Sequence, residues 1–211
     1  MDVAHPIRGI IPTLDAPVIE VLAGTTRPLS GREVHRLAGT GSVRGVQLVL
    51  ARLVRQGLVL AEERGGAILY IANRDHLAWP ALEELVRLKL RLHTRIAQET
   101  DSWPLRPLHV SLFGSAARGD GDASSDFDVL IVRPDEIGSA DQWDEQVDRL
   151  RERVQAWTGN RCQVFDVGRE RLAEHVAAQD PLVDAWLTDG VHLMGTPLHD
   201  LVGRLPARVR R

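Results

Sequence analysis

The segment that most restricts this chain lies between two apolar runs. Leu108–Phe113 stops at Gly114-Ser115, and after a polar loop Ser125-Asp126-Phe127-Asp128 opens Val129-Leu130-Ile131-Val132. Short runs rich in branched and aromatic residues predict strands. Glycine at 114 permits a tight turn at a strand end and lets the backbone approach a phosphate without a side-chain clash. Ser115 can donate its hydroxyl, and a helix starting at the turn offers free amides to negative charge. Side chains alternate across a strand, so Asp126 and Asp128 share one face. Two carboxylates on one face beside phosphate repel unless a divalent cation neutralises them, and hard oxygen ligands suit Mg²⁺. Alone, an Asp-x-Asp would be only a turn residue and an edge charge; beside Gly114-Ser115 it predicts a metal and phosphate site.

The 211 residues suffice for one large domain or two small ones. No apolar run approaches the ~20 residues needed to span a bilayer. Met1 to Leu14 lacks the apolar centre of a signal peptide. The single cysteine, Cys162, permits neither an intrachain disulfide nor a thiolate zinc cluster. A cytoplasmic protein with no membrane partner is expected. Charge divides the chain: residues 1–100 carry 13 basic and 10 acidic side chains, residues 101–211 carry 13 and 19. Between Thr26 and Leu60 six arginines face a single acid, Glu33. A basic front and an acidic back predict two modules with different partners.

In the front module, Ala16–Leu22 predicts a short helix ended by Gly24. Ser30 and Glu33 have capping-box spacing for a helix over Arg32–Ala38. Ser42 caps a further helix, whose Val43, Val46, Val49, Leu50, Leu53 and Val54 recur at helical intervals up to Gln56-Gly57. Leu58–Glu62 and Ala67–Ile71, split by Glu63-Arg64-Gly65-Gly66, predict a hairpin. This order over roughly residues 15–73 resembles the winged helix-turn-helix of small bacterial regulators. The resemblance implies a recognition helix at Ser42–Gln56 and a wing tip at Glu62–Ala67. It implies DNA contacts from Ser42, Arg44, Gln47, Arg52, Arg55 and Arg64, since arginine and glutamine bond bidentately to guanine and adenine edges. The competing reading is a dimerisation or protein-contact module with a solvated arginine face.

Ala81–Thr100 predicts one long amphipathic helix (Leu82, Leu85, Val86, Leu88, Leu92, Ile96), read as connector and first helix of the second module, or as a homodimer contact. Beyond the opening segment, helices are predicted at Trp143–Trp157, Glu170–Ala178 and Pro181–Thr188. Strands are predicted at Arg161–Val167 and Val191–Gly195. The expected division is 1–75 for the winged helix-turn-helix, 76–104 for the connecting helix, 105–198 for the second domain and 199–211 for a basic tail.

Residues 108–195 resemble the minimal, antitoxin-type nucleotidyltransferase domains of the DNA polymerase β superfamily. The match lies in Leu112-Phe113-Gly114-Ser115-Ala116-Ala117-Arg118-Gly119, Ser125-Asp126-Phe127-Asp128, and the ending Asp189-Gly190-Val191-His192-Leu193-Met194-Gly195. The fold class expected is α+β: an N-terminal winged helix-turn-helix, then a polymerase-β-like nucleotidyltransferase domain with a mixed sheet and helices. The resemblance implies nucleotide binding by Gly114, Ser115, Arg118 and Ser125, with Asp126 and Asp128 as metal ligands. The family places a third carboxylate on a neighbouring strand, where Asp166 is the only acid, so Asp126, Asp128 and Asp166 form the expected catalytic triad for two Mg²⁺ ions. Arg118 has an alternative role as partner of a loop aspartate. Asp120 and Asp122 are read as loop residues, His175 and His192 as structural histidines, and Cys162 as a packed small hydrophobe.

The activity implied is transfer of a nucleoside monophosphate from NTP, with ATP and AMP foremost, to an acceptor hydroxyl. A toxin-like protein partner is the first acceptor; small molecules of the aminoglycoside kind and RNA ends remain open. The rival class is a DNA-binding, antitoxin-like regulator whose second domain senses NTP or binds a partner.

Overall fold

In the computed structural model, residues 1–205 are described and form two compact units, His5–Lys89 and Met1–Ala4 together with Leu90 onward. The basic stretch Pro206–Arg211 lies outside the described residues.

The unit His5–Lys89 contains α1 (Pro6–Ile10), α2 (Asp15–Ala23), β1 (Leu29–Ser30), α3 (Gly31–Ala38), α4 (Val43–Arg55), β2 (Val59–Arg64), β3 (Ala67–Ala72) and α5 (Trp79–Val86). Both expected caps form. Ser30 Oγ accepts from the Glu33 amide while the Glu33 carboxylate accepts from the Ser30 amide, the reciprocal pair of a capping box, worth about 1 kcal/mol. Ser42 Oγ accepts from the Gly45 amide at 3.0 Å. The hairpin β2–β3 pairs from Val59↔Ala72 to Arg64↔Ala67, and β1 adds to β3 to complete a three-stranded sheet ordered β1-β3-β2. Val18 and Leu22 of α2, Val34 of α3, and Val46, Leu50 and Leu53 of α4 close one apolar core with Val59 and Trp79.

The expected long helix over Ala81–Thr100 is two helices, α5 and then α6 (Leu88–Asp101). Arg87 leaves helical geometry at ψ 6°, its amide shared between the Glu83 and Leu85 carbonyls. The single apolar stripe read from sequence serves two cores: Leu82, Leu85 and Val86 pack in the first unit, Leu92 and Ile96 in the second. Two further corrections concern the ends. Met1–Ala4, expected with the first domain, belongs to the second unit, where Val3 is buried. Residues 199–203, expected to be tail, lie in a helix because Leu198 and Leu201 are apolar and buried.

The second unit continues from α6 through β4 (His109–Phe113), α7 (Gly114–Arg118), β5 (Phe127–Arg133), α8 (Ala140–Thr158), β6 (Cys162–Gly168), α9 (Arg169–Ala177), α10 (Pro181–Thr188), β7 (Val191–Gly195) and α11 (Leu198–Gly203). Its sheet is mixed, ordered β6-β5-β4-β7: β5 runs parallel to β6 through the α8 crossover, and β4 is antiparallel to both β5 and β7. Alternation sorts the side chains onto two faces. Val110, Leu112, Phe127, Val129 and Ile131 face α6 and the Trp143, Val147, Leu150, Val154 stripe of α8. Phe113, Leu130, Val132 and Val167 face α9, α10 and α11 through Leu172, Val183, Trp186 and Leu201. No helix of the described residues is long and apolar enough to cross a membrane.

Candidate active site

The end of β4 and the start of β5 lie side by side, because Phe113 pairs with Asp128. The chain turns into α7 at Gly114, whose φ is +68°, a conformation an L-residue enters only with strain. A Cβ at this position would lie 2.6 Å from Asp128 Oδ2. Glycine is required twice over, and the Gly114 backbone sits directly against a carboxylate.

Asp128 shares its face with Phe113 and Leu130, and Asp126 immediately precedes the strand. Asp128 is half-buried and its carboxyl is held above the usual aspartate range, first by desolvation and then by the charge of Asp126, against a smaller opposing pull from Arg118. A carboxylate with a raised pKa beside a second carboxylate is a site where a cation would relieve both costs.

Arg118 lies at the far end of α7. Its Nε donates to Asp120 Oδ2 at 3.0 Å and its Nη1 to Asp189 Oδ2 at 3.1 Å. Of its two expected roles, the structure supports partner of loop aspartates. It ties the turn after β4 to the Asp189-Gly190 turn that closes the domain, where Gly190 has no room for a Cβ, which would meet the Trp186 carbonyl at 2.1 Å. Ser125 closes the loop rather than standing open: its Oγ accepts from the Asp122 amide, and Asp122 Oδ1 in turn accepts from the amide and hydroxyl of Ser124. These bonds, the Ser124 hydroxyl first, hold Asp122 below the usual carboxylate range. Ser115 has its Oγ beside Gly121, on the same loop.

Asp166 is where expectation and structure part. Parallel pairing sets Asp166 against Ile131 and Gln163 against Asp128. Ile131 and Asp128 point to opposite faces, so Asp166 lies on the α8 side of the sheet, away from the carboxylate pair. There its Oδ2 accepts from Trp143 Nε1 at 2.9 Å, and its Oδ1 forms an ion pair with Arg133 Nε at 3.5 Å, outside hydrogen-bond geometry. Burial holds its carboxyl above the ordinary range, with the Trp143 bond and then Arg133 opposing. The side chain that does face the pair is Gln163, whose Nε2 donates to Asp126 Oδ2 at 2.7 Å. Among the described residues no three His, Cys, Asp or Glu groups assemble to hold a metal. The donor set of Asp126 and Asp128 suits one hard divalent cation beside phosphate oxygens.

Sequence reasoning also missed Asn160. Its Nδ2 donates to the carbonyls of Met1, Ala123 and Ser125 (3.1, 3.2 and 2.9 Å), and the Ala4 amide donates to Gly121, so the N-terminal strap and α8–β6 turn together fix the loop before Asp126. A buried asparagine has no sequence signature beyond its type. Cys162, half-buried, has its thiol pushed up to about 12 by burial, in keeping with a packed small hydrophobe. His175 bonds to Asp180 at 2.7 Å, and His192 lies with its ring 5.4 Å from that of His109.

Residues 93–184 match the family model of the nucleotidyltransferase domain. That span contains the Gly114-Ser115 turn, the Asp126–Asp128 pair and Gln163, so the part of the second unit that matches this family also holds the candidate site. No curated protein matches the chain. Two chains of solved structures are similar at low levels. One, from a crystal structure of a toxin-antitoxin with AMP-PNP, is 17% identical over 53% of this chain and 82% of that one, with a TM-score of 0.36. The other, from human N-acetylserotonin methyltransferase in complex with SAM, is 23% identical over 45% of this chain and 32% of that one, with a TM-score of 0.28. At these TM-scores neither bears on the function of this chain.

In the first unit, the expected DNA contacts Arg44, Gln47 and Arg55 lie exposed along one stripe of α4 with Ser42 at its start, and Arg64 is exposed on the hairpin. Two of the six are otherwise engaged: Arg52 pairs with Asp15 of α2, and Arg64 Nε donates to Glu62 at 2.8 Å. Ser42 spends its hydroxyl oxygen on the helix cap.

Proposed function

We propose that this chain is a nucleotidyltransferase that moves a nucleoside monophosphate, AMP foremost, from NTP to an acceptor hydroxyl, and that its first unit is a DNA-binding winged helix. The observation that carries the catalytic half is the contact of Gly114 with Asp128 beside Asp126, within the residues that match the nucleotidyltransferase family. Backbone amides of the Gly114-Ser115 turn receive the triphosphate, with the Ser115 hydroxyl as a further donor. Asp126 and Asp128 are the residues that would hold Mg²⁺. When bound, the ion offsets charge on the triphosphate and the leaving pyrophosphate. The acceptor oxygen forms its bond to the α-phosphorus as the bond from that phosphorus to the bridging oxygen of pyrophosphate breaks, and the acceptor proton passes to solvent. This reading gives Asp166 no role, in keeping with its bond to Trp143 on the α8 side of the sheet.

A toxin-like protein is the acceptor this reading favours, in a cytoplasmic setting. Exposed Arg44 and Arg55 with Gln47 suit a recognition helix, and Gly65-Gly66 at the hairpin tip suits a wing. One observation favours a second reading. With no group of three metal-ligating side chains among the described residues, this second reading has the domain bind NTP as a signal that adjusts DNA or partner binding without transferring it. Incubating the chain with Mg²⁺, each α-labelled NTP and a lysate of cells of its own kind separates the two. Label on an acceptor supports transfer; nucleotide binding without label on any component supports sensing.

A further inference from the structure

We infer that Gln163 limits this site to a single divalent cation, the one that travels with the nucleotide, and positions Asp126 to receive it. The inference rests on the metal-nucleotide reading above and deepens it. Three facts carry it. Parallel register places Gln163 directly beside Asp128 on the same face. Its amide donates to Asp126 Oδ2 at 2.7 Å. The acid of the same strand, Asp166, is turned to the opposite face and occupied by Trp143 and Arg133.

The direction of the Gln163 bond follows from chemistry. Asp126 can only accept when ionised, so the nitrogen, not the oxygen, must face it. The bond takes one lone pair of Asp126 Oδ2 and fixes the carboxylate's rotation, leaving its other oxygen and Asp128 for a cation. A neutral amide supplies no charge to offset a second dication. Among the described residues a second divalent ion a few ångströms from the first would find no third carboxylate and would rest on phosphate oxygens and on ligands shared with the first. The ion that would activate an acceptor hydroxyl therefore has no protein carboxylate of its own. Glutamate at 163 has nearly the same shape, cannot donate to Asp126, and would complete a group of three carboxylates on one face.

Mn²⁺ counting by electron paramagnetic resonance tests this on the full chain saturated with α,β-methylene-ATP. The expected result is one Mn²⁺ per chain for the wild type and for Asp166→Asn, and two for Gln163→Glu with the broadening of a coupled Mn–Mn pair. Gln163→Leu, which removes the donor, keeps one Mn²⁺ and weakens its affinity several-fold, a change a purely structural role would not produce in a variant of unchanged Tm. Two Mn²⁺ in the wild type, falling to one in Asp166→Asn, overturn the inference. So does a folded Gln163→Glu that still binds one. If Gln163→Glu does not fold, the wild-type and Asp166→Asn counts decide. A wild type that binds no Mn²⁺ with the nucleotide overturns the metal-nucleotide reading itself, and this inference with it; a count of zero is distinct from a count of two.

Discussion

At the scale of single residues, the site depends on one glycine and on which way each acid points. Gly114→Ala adds a Cβ 2.6 Å from Asp128 Oδ2 at a φ of +68°. The left-handed conformation alone costs about 1–2 kcal/mol, and relieving the clash must move Asp128. Binding of Mg²⁺-ATP, measured by calorimetry, should weaken at least about tenfold on that ground; unchanged affinity would show that the turn does not meet the nucleotide. His109 gives a second test. It is buried with Nδ1–H donated to the Thr196 carbonyl and Nε2 accepting from Ser111, a neutral ring satisfied on both sides. Burial first, then His192, lowers its pKa from 6.5 to about 4 despite the Thr196 bond. Because the folded pKa is depressed, the unfolded chain binds the proton first, so stability is lost as pH falls from about 6.5 to about 4, by about 3 kcal/mol at most. Urea unfolding at pH 7 and pH 5 should show this loss in the wild type and a smaller one in His109→Gln. Equal losses would contradict the account.

Among the elements, α4 and the β5–β6 pair show how far the sequence was readable. Helices announced themselves through caps: Ser30 with Glu33, Ser42, and Gly57 as a stop were all legible, because capping is local chemistry. The strand positions of the second unit were legible for the same reason. Register was not. Whether Asp166 or Gln163 faces Asp128 turns on a parallel pairing that spans the whole α8 crossover, and a slip of one residue reverses every side chain. Nothing within Arg161–Val167 fixes that choice. The break at Arg87 was hidden similarly, since two cores drew on one continuous apolar stripe. On α4, Arg44→Ala and Arg55→Ala should weaken binding to DNA and reduce its salt slope by about one each if both meet phosphates. Arg52→Ala should act mainly through its exposed pair with Asp15, with less than about 1 kcal/mol on stability and little on the slope. Fluorescence anisotropy across a salt series distinguishes these; slopes unchanged from the wild type for all three would place the arginines outside any DNA interface.

For the whole molecule, two units with separate cores sit in one chain. The second of them takes in both the first four residues and everything described from Leu90 onward. The first unit is therefore an insertion between Ala4, whose amide bonds to Gly121 in the loop before Asp126, and α6. No pattern in the sequence marks this, because Met1–Ala4 is too short to carry one; burial of Val3, the bonds of Met1 to Asn160 and Thr158 and the bond of the Ala4 amide to Gly121 hold it in the second unit. The basic front and acidic back seen in the charges coincide with this division, and the account assigns them nucleic acid and metal-nucleotide respectively. The central claim is that Asp126 and Asp128 support nucleotidyl transfer, and the most direct measurement is Mg²⁺-dependent transfer from α-labelled ATP, followed by gel autoradiography, for the wild type and the Asp126→Asn, Asp128→Asn double variant. The account predicts label on an acceptor with the wild type, none after chelation by EDTA, and at least about a hundredfold less with the variant. Equal labelling by wild type and variant, or none by either across all four NTPs, would contradict it.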